Sequence, residues 1–200
     1  MCAAFFALTA LCSCWPLKDT NKIYTIVLDN GKMQRTLKIP GAYLPEKDKD
    51  NSIGVWVQFS YPSMNPVVSR TPSEDSIELL IKLAFDKDKP SMSESSLSNF
   101  KNYLKDPIAK SRTRHLGKLG IYDVYELWHF NGGYLTTTYF RNDENGYLIK
   151  IEAVPGLRTS SQRRYAESIE LSYGYSPSLM PKETEIDAAI TKLVDSWLQN

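Results

Sequence analysis

The sequence predicts an α+β fold: antiparallel sheet or sheets built from hairpins and a three-strand meander, packed by a middle helix (92–105) and a C-terminal helix (184–198). Three observations carry this. Period-2 apolar alternation recurs between Asn-Gly and Gly-Gly turn signals. A Ser-x-x-Glu capping pattern opens one stretch of helical spacing in mid-chain. A second apolar stripe at helical spacing ends the chain.

The first strand is "IYTIVL" (23–28), running into Asp29-Asn30-Gly31-Lys32; Asn-Gly tolerates the positive φ of a hairpin turn, and "RTLKI" (35–39) returns. In "SIGVWVQFSY", Ile53, Val55, Val57, Phe59 and Tyr61 share one face, and Pro62 and Pro66 then force an extended loop. "IELLIKLAF" (77–85) alternates through Ile77, Leu79, Ile81, Leu83 and Phe85; Leu80 and Ala84 also fit a helix, but the alternation favours strand. Ser91 and Glu94 form the capping box of helix 92–105, whose Leu97, Phe100, Tyr103 and Leu104 make one face, and Pro107 closes it. "LGIYDVYELWHF" (119–130) carries apolar groups on both faces and reads as an inner strand covered from two sides. Asn131-Gly132-Gly133 turns it into "YLTTTYF", and residues 142–146 turn that into "YLIKIEAV", with Tyr147, Ile149 and Ile151 inward. A polar stretch (157–165) precedes a weaker strand, "AESIELSYGY". Thr184 is the expected cap of the last helix, whose stripe is Ile186, Ile190, Leu193, Val194, Trp197 and Leu198.

All three cysteines, Cys2, Cys12 and Cys14, lie in the first fourteen residues. Ala3 to Leu11 form an uncharged apolar block, too short for a membrane span of about 20 residues but adequate for the centre of a secretory signal. Leu11-Cys12-Ser13-Cys14 resembles a bacterial lipobox. The resemblance implies that residues 1–13 are a lipoprotein signal peptide, that Cys14 carries the acyl chains, and that residues 14–21 tether a single domain spanning 22–200. Two subdomains divided near 107–118 are the alternative. Several acyl chains on one residue make a durable anchor where one chain does not. By the same resemblance to lipoproteins, Trp15 rather than Asp after Cys14 implies the outer membrane, facing the periplasm. Residues 1–13 hold no Lys or Arg, a departure from the usual basic start, and the same block also reads as a buried element of the fold.

Composition and charge bound the function. A formal net charge of +1 with no long basic run disfavours nucleic acid as partner. His115 and His129 have no companion ligand at metal-binding spacing, so neither a metal site nor another cofactor is expected. No G-x-S-x-G elbow or phosphate-cradling glycine loop occurs, and Asp143-Glu144 falls in a turn where solvation explains it better than carboxylate chemistry. Binding therefore ranks above catalysis, with an unrecognised hydrolase built around a histidine as the distant alternative. The candidate partner-binding residues are Tyr43 and Leu44 in "AYLP", and Tyr61, Pro62 and Met64 in "YPSMNP": aromatic anchors in proline-ordered loops lower the entropic cost of docking. The alternative reading of Tyr43 and Tyr61, and the one the residues favour, is that they cap the end of the core.

Residues 20–66, with "LKIPGAYL" followed by an alternating strand that ends in "YPSMNP", resemble small periplasmic lipoproteins that act as immunity proteins for type VI secretion lipase effectors. The resemblance implies a non-enzymatic role: a tethered protein whose partner is a secreted lipase toxin that it blocks sterically. An accessory envelope lipoprotein of structural or assembly role is the second expectation.

Overall fold

The structure, a computed structural model, describes residues 19–44, 54–67, 73–84, 86, 88–129 and 132–199. Cys14, the expected signal, the Lys47–Asp50 loop, Ile53 and Phe85 lie outside the described residues.

Among the described residues, eleven strands and two α-helices follow one another as β1 (Ile23–Asp29), β2 (Gln34–Pro40), β3 (Gly54–Ser60), β4 (Ser76–Leu83), α1 (Met92–Tyr103), β5 (Thr113–Leu119), β6 (Tyr122–His129), β7 (Tyr134–Asn142), β8 (Leu148–Ala153), β9 (Thr159–Tyr165), β10 (Ile169–Tyr175), α2 (Glu183–Trp197) and β11 (Leu198–Gln199). Eight strands form one antiparallel sheet in the order β3-β4-β10-β9-β8-β7-β6-β5, and β1, β2 and β11 form a smaller one. The fold is α+β, as the sequence patterning requires.

The first hairpin turns where Asn30-Gly31 sits. Gly31 has φ 78°, and the Asn30 side-chain oxygen accepts from the amides of Lys32 (3.0 Å) and Met33 (2.9 Å). The Asn30 side-chain amide donates to the Ala84 carbonyl (2.8 Å), which pins the turn to the end of β4. Leu28, Leu37 and Ile39 are fully buried against Val57, Phe59, Leu79, Ile81, Leu171 and Tyr173 of the large sheet. Helix α2 shares this layer through Ile186, Ile190, Val194 and Trp197. The opposite face of the sheet receives α1, whose Phe100 packs on Tyr125 and Phe140 with ring centroids 5.2 and 5.9 Å away. The capping box of α1 is formed in both directions: the Glu94 amide donates to Ser91 Oγ (3.2 Å), and the Ser91 amide donates to the Glu94 carboxylate (2.6 Å).

The three-strand meander is present as β6-β7-β8 but is part of a longer one, running unbroken from β5 to β10. Two of its strands depart from the expectation. Residues 113–119 form β5, an edge strand whose alternation is broken by a bulge between His115 and Gly117. Within the expected polar stretch, β9 turns Thr159, Ser161 and Arg163 to the buried side, so no apolar alternation marks it. The next strand begins at Ile169, later than expected, because Ala166 and Glu167 adopt positive φ (46° and 60°) in the turn. The middle of β6 is covered from both sides, with Val124 and Tyr125 buried on successive positions, whereas Trp128 is 40% exposed. Thr184 does not cap α2. A 3-10 turn over Pro177–Lys182 runs directly into the helix, and Thr184 lies inside its first turn. The helix ends at Trp197, and Leu198 pairs with Leu37 as β11.

Candidate partner-binding surface

Tyr43, Leu44, Tyr61, Pro62 and Met64 come from two loops about twenty residues apart, and the fold gathers them at one end of the sheet. After β2 the chain makes a 3-10 turn, Gly41–Tyr43, which projects the Tyr43 ring against Trp197 at 5.0 Å in an edge-to-face pair. After β3 the chain doubles back: the Met64 amide donates to the Ser60 carbonyl (2.7 Å), the Ser60 amide to the Asn65 carbonyl (2.9 Å), and the Tyr61 amide to the Asp75 carbonyl (2.8 Å). The Tyr61–Pro62 peptide bond is cis, and Met64 sits at φ 55°. The Tyr43 hydroxyl donates to the Met64 carbonyl (3.0 Å), which joins the two loops.

The five residues divide between core and surface. Leu44 is 6% exposed and belongs to the core, so it supports the loop from below. Tyr43, Tyr61 and Met64 are half-buried with faces on the core, and Pro62, Ser63 and Asn65 are exposed. Packing and presentation are combined in the same aromatics, which makes a fixed rather than a loose surface.

Tyr61 also reaches α2, its hydroxyl donating to the Glu185 carboxylate (2.9 Å), while Lys182 pairs with the other oxygen of Glu185 (3.2 Å). The Tyr61 hydrogen bond, followed by that of Lys182, holds the Glu185 carboxyl below its usual range, and the same bond to Glu185 pushes the Tyr61 phenol up. A carboxyl depressed in the folded state contributes stability above its unfolded pKa, and that contribution is lost as pH falls through the depressed value. We therefore expect Tyr61→Phe to return the Glu185 titration upward toward the ordinary carboxylate range, read from side-chain carbonyl chemical shifts. An unchanged titration would mean that the hydrogen bond does not form in solution.

The orientation of α2, and so of Glu185, is set by a group of buried charges that sequence reasoning did not find. Arg141 grips Glu183 with two nitrogens (2.8 and 2.9 Å) and lies 3.4 Å from Asp187. Arg163 donates to Asp187 (2.6 Å) and also pairs with Asp143. The Tyr173 hydroxyl donates to the second Asp187 oxygen (2.8 Å), and that of Tyr122 to Glu183 (3.2 Å). The side chains of Arg141, Arg163, Glu183, Asp187 and Asp143 are each 8% exposed or less. Burial pushes the Arg141 guanidinium down, but its bonds to Glu183 and the Asp187 charge outweigh this and the pKa is raised. Burial next to these carboxylates pushes the Tyr173 phenol well up. Asp143 is therefore not solvated in its turn as expected. One of its oxygens accepts from the Asn145 and Tyr147 amides (2.9 and 2.8 Å) while the other meets Arg163; Glu144 beside it is exposed. The chain's one local hint is that Glu183 and Asp187, at i,i+4, flank the apolar Ile186; that Arg141 and Arg163 both pair in register with the buried Ile149 emerges only once the sheet has formed.

The histidines are not brought together. His115 bonds Asp123 (2.7 Å) and stacks on Tyr125 (4.5 Å), and His129 stacks on Tyr134 (4.6 Å). Burial raises Asp123, but the bonds from His115 and Tyr125 outweigh it and hold the carboxyl below its usual range. Among the described residues no group of three His, Cys, Asp or Glu side chains is placed to hold a metal, and no helix is long and apolar enough to cross a membrane. A cleft of about 820 Å3 beside α1 is lined by side chains already paired across it, Lys82 with Glu170 (3.7 Å) and Arg164 with Glu170 (3.9 Å).

No protein-family model matches the chain, and no curated protein sequence does. A solved structure does resemble it. An immunity protein of the Stenotrophomonas maltophilia type IV secretion system superposes over 88% of this chain and 95% of its own, with a TM-score of 0.57 and 12% sequence identity. The two chains share a fold. The sequence pattern over residues 20–66 pointed to immunity proteins of type VI lipase effectors; the structural likeness extends to an immunity protein, but of a different secretion system.

Proposed function

We propose that this chain is an immunity protein, a binding protein that protects its producer by occupying a secreted antibacterial toxin. The observation that carries the reading is the likeness in fold to a secretion-system immunity protein, which extends over nearly the whole of both chains. In this reading the partner is a protein, the chain itself performs no chemistry, and the Tyr43–Tyr61–Pro62–Met64 corner is the contact surface. Its half-buried aromatics are held by hydrogen bonds before the partner arrives, so docking orders little new structure. An interface of standard size, about 1,600 Å2 in total, suffices to cover an active-site entrance.

The finer reading is a lipoprotein of the periplasm, acylated at Cys14, held on the outer membrane and directed against a type VI lipase. The lipobox-like Leu11–Cys14 and the 20–66 pattern support it. An anchor would raise the effective concentration of inhibitor at the membrane where a lipase acts.

Deleting the gene is expected to make cells sensitive to wild-type siblings, and removing the secretion apparatus from the attacker should abolish the killing. Attackers lacking the type IV or the type VI machinery separate the two toxin classes. Full resistance of the deletion strain to both attackers overturns the reading. The Asn65→Glu variant, which changes an exposed side chain of the same corner and keeps Pro62, should bind the toxin at least about tenfold more weakly, as expected for a change near the centre of an interface. Mass spectrometry of the mature protein should find acyl chains on Cys14.

A further inference from the structure

We propose that β5 is a docking edge at which an acidic, extended segment of a protein partner adds as a ninth strand to the large sheet. Among the described residues β5 pairs with β6 alone, so the backbone N–H and C=O groups along its other side point away from the sheet. The strand is seven residues long and carries apolar side chains into solvent: Leu116 is 54% exposed and Leu119 64%, with Ile121 at 61% in the turn that follows. Exposed edges invite pairing and are ordinarily kept short or covered. Here the apolar groups would pack beside the corresponding side chains of an added strand, in the manner of β-augmentation.

Charge decides what kind of strand fits. Between residues 109 and 122 the chain has Lys110, Arg112, Arg114, His115 and Lys118, and no carboxylate. The adjacent β6 supplies Glu126, 3.5 Å from Arg114, and Asp123, bonded to His115. Lys118 is exposed on β5 itself, and Lys110 and Arg112 are exposed in the 3-10 turn Ala109–Arg112 that leads into it. Antiparallel pairing with a second copy would set this basic strand against itself, and like charges opposed across strands are destabilising. An acidic strand is complementary. A lipid surface could answer the charge but offers no backbone to pair with the strand's open side. In the strand order the edge stands seven strands from β3, the strand that leads into the Tyr61 corner, so it is a second contact area. The inference rests on the proposed function only for the partner's identity, since the toxin would supply the strand.

The test uses the full chain, a synthetic peptide of about nine residues alternating Glu and Val, and a Lys–Val counterpart. The Glu–Val peptide should bind, with amide exchange slowed at residues 113–119, at least about tenfold more tightly than the Lys–Val peptide, and should weaken as salt is raised. The double variant Arg112→Glu/Lys118→Glu changes only exposed side chains and should reverse the preference between the peptides. Equal binding of both peptides, slowed exchange elsewhere than β5, or an unaltered preference in the variant overturns the proposal. So does a dimer formed through β5 in sedimentation, or binding of phosphatidylglycerol vesicles with no protection of β5 by the peptide. No toxin enters this experiment, so its failure leaves the immunity reading standing, and a failed protection assay leaves the docking edge standing.

Discussion

Asp187→Ala should destabilise the protein by about 3–5 kcal/mol, the cost of removing one partner from a buried ion pair. Asp187 takes hydrogen bonds from Arg163 and Tyr173 and lies 3.4 Å from Arg141, all of them buried. Without it, two guanidinium groups share Glu183 and Asp143, and the fully buried Tyr173 hydroxyl loses its acceptor. The loss of one partner weighs more than the network's net contribution, since charges left behind in a dry interior have no water to turn to. Urea unfolding monitored by circular dichroism reads the change as a lower midpoint at unchanged slope. Asp187→Asn keeps an acceptor and should fall between wild type and Asp187→Ala. A midpoint for Asp187→Ala within experimental error of wild type would mean that water reaches the cluster and that the network does not fix α2.

Trp197→Ala is expected to cost a similar amount, about 3–5 kcal/mol, by the different route of a cavity in a packed core. Trp197 is 4% exposed, the last residue of α2, and meets the Tyr43 ring at 5.0 Å. Its removal also frees Leu198 and Gln199, the short β11 that closes the small sheet onto β2. The structure thus predicts a second effect beyond stability: faster amide exchange at Tyr43 and Leu44, because the ring that holds the 3-10 turn against the helix is gone. Trp56→Ala is the control. Trp56 is 50% exposed on β3, and its loss should change stability by no more than about 0.5 kcal/mol, as at most surface positions. Equal losses for the two tryptophans would contradict the assignment of the core.

How much of this was legible beforehand depended on whether a residue's environment was apolar. β3 and β4 were readable because Val55, Val57, Phe59, Ile77, Leu79 and Ile81 all face one buried side. The capping box was readable because its two residues satisfy each other within one turn of chain. β9 was not, because what it buries is Thr159, Ser161 and Arg163, whose burial depends on partners elsewhere in the chain. β5 was hidden by a bulge and by apolar groups that face solvent. At the candidate surface, residue type alone picked out Tyr43, Tyr61, Pro62 and Met64. That Leu44 belongs to the core, and that Glu185 joins Tyr61, could be seen only once α2 was in place.

The amino-acid order by itself determined the α+β class, the first hairpin, the β6-β7-β8 meander and the two helices, because these follow from local propensity and from the period of apolar residues. Tertiary structure alone decided that the strands share one eight-stranded sheet, that Arg141, Arg163, Glu183 and Asp187 neutralise one another in its interior, and that two distant loops meet beside Trp197. The physical reason is range. Periodicity acts over a few residues, whereas compensation of a buried charge and closure of a sheet edge depend on groups far apart in the chain, which come within reach only when the chain has folded.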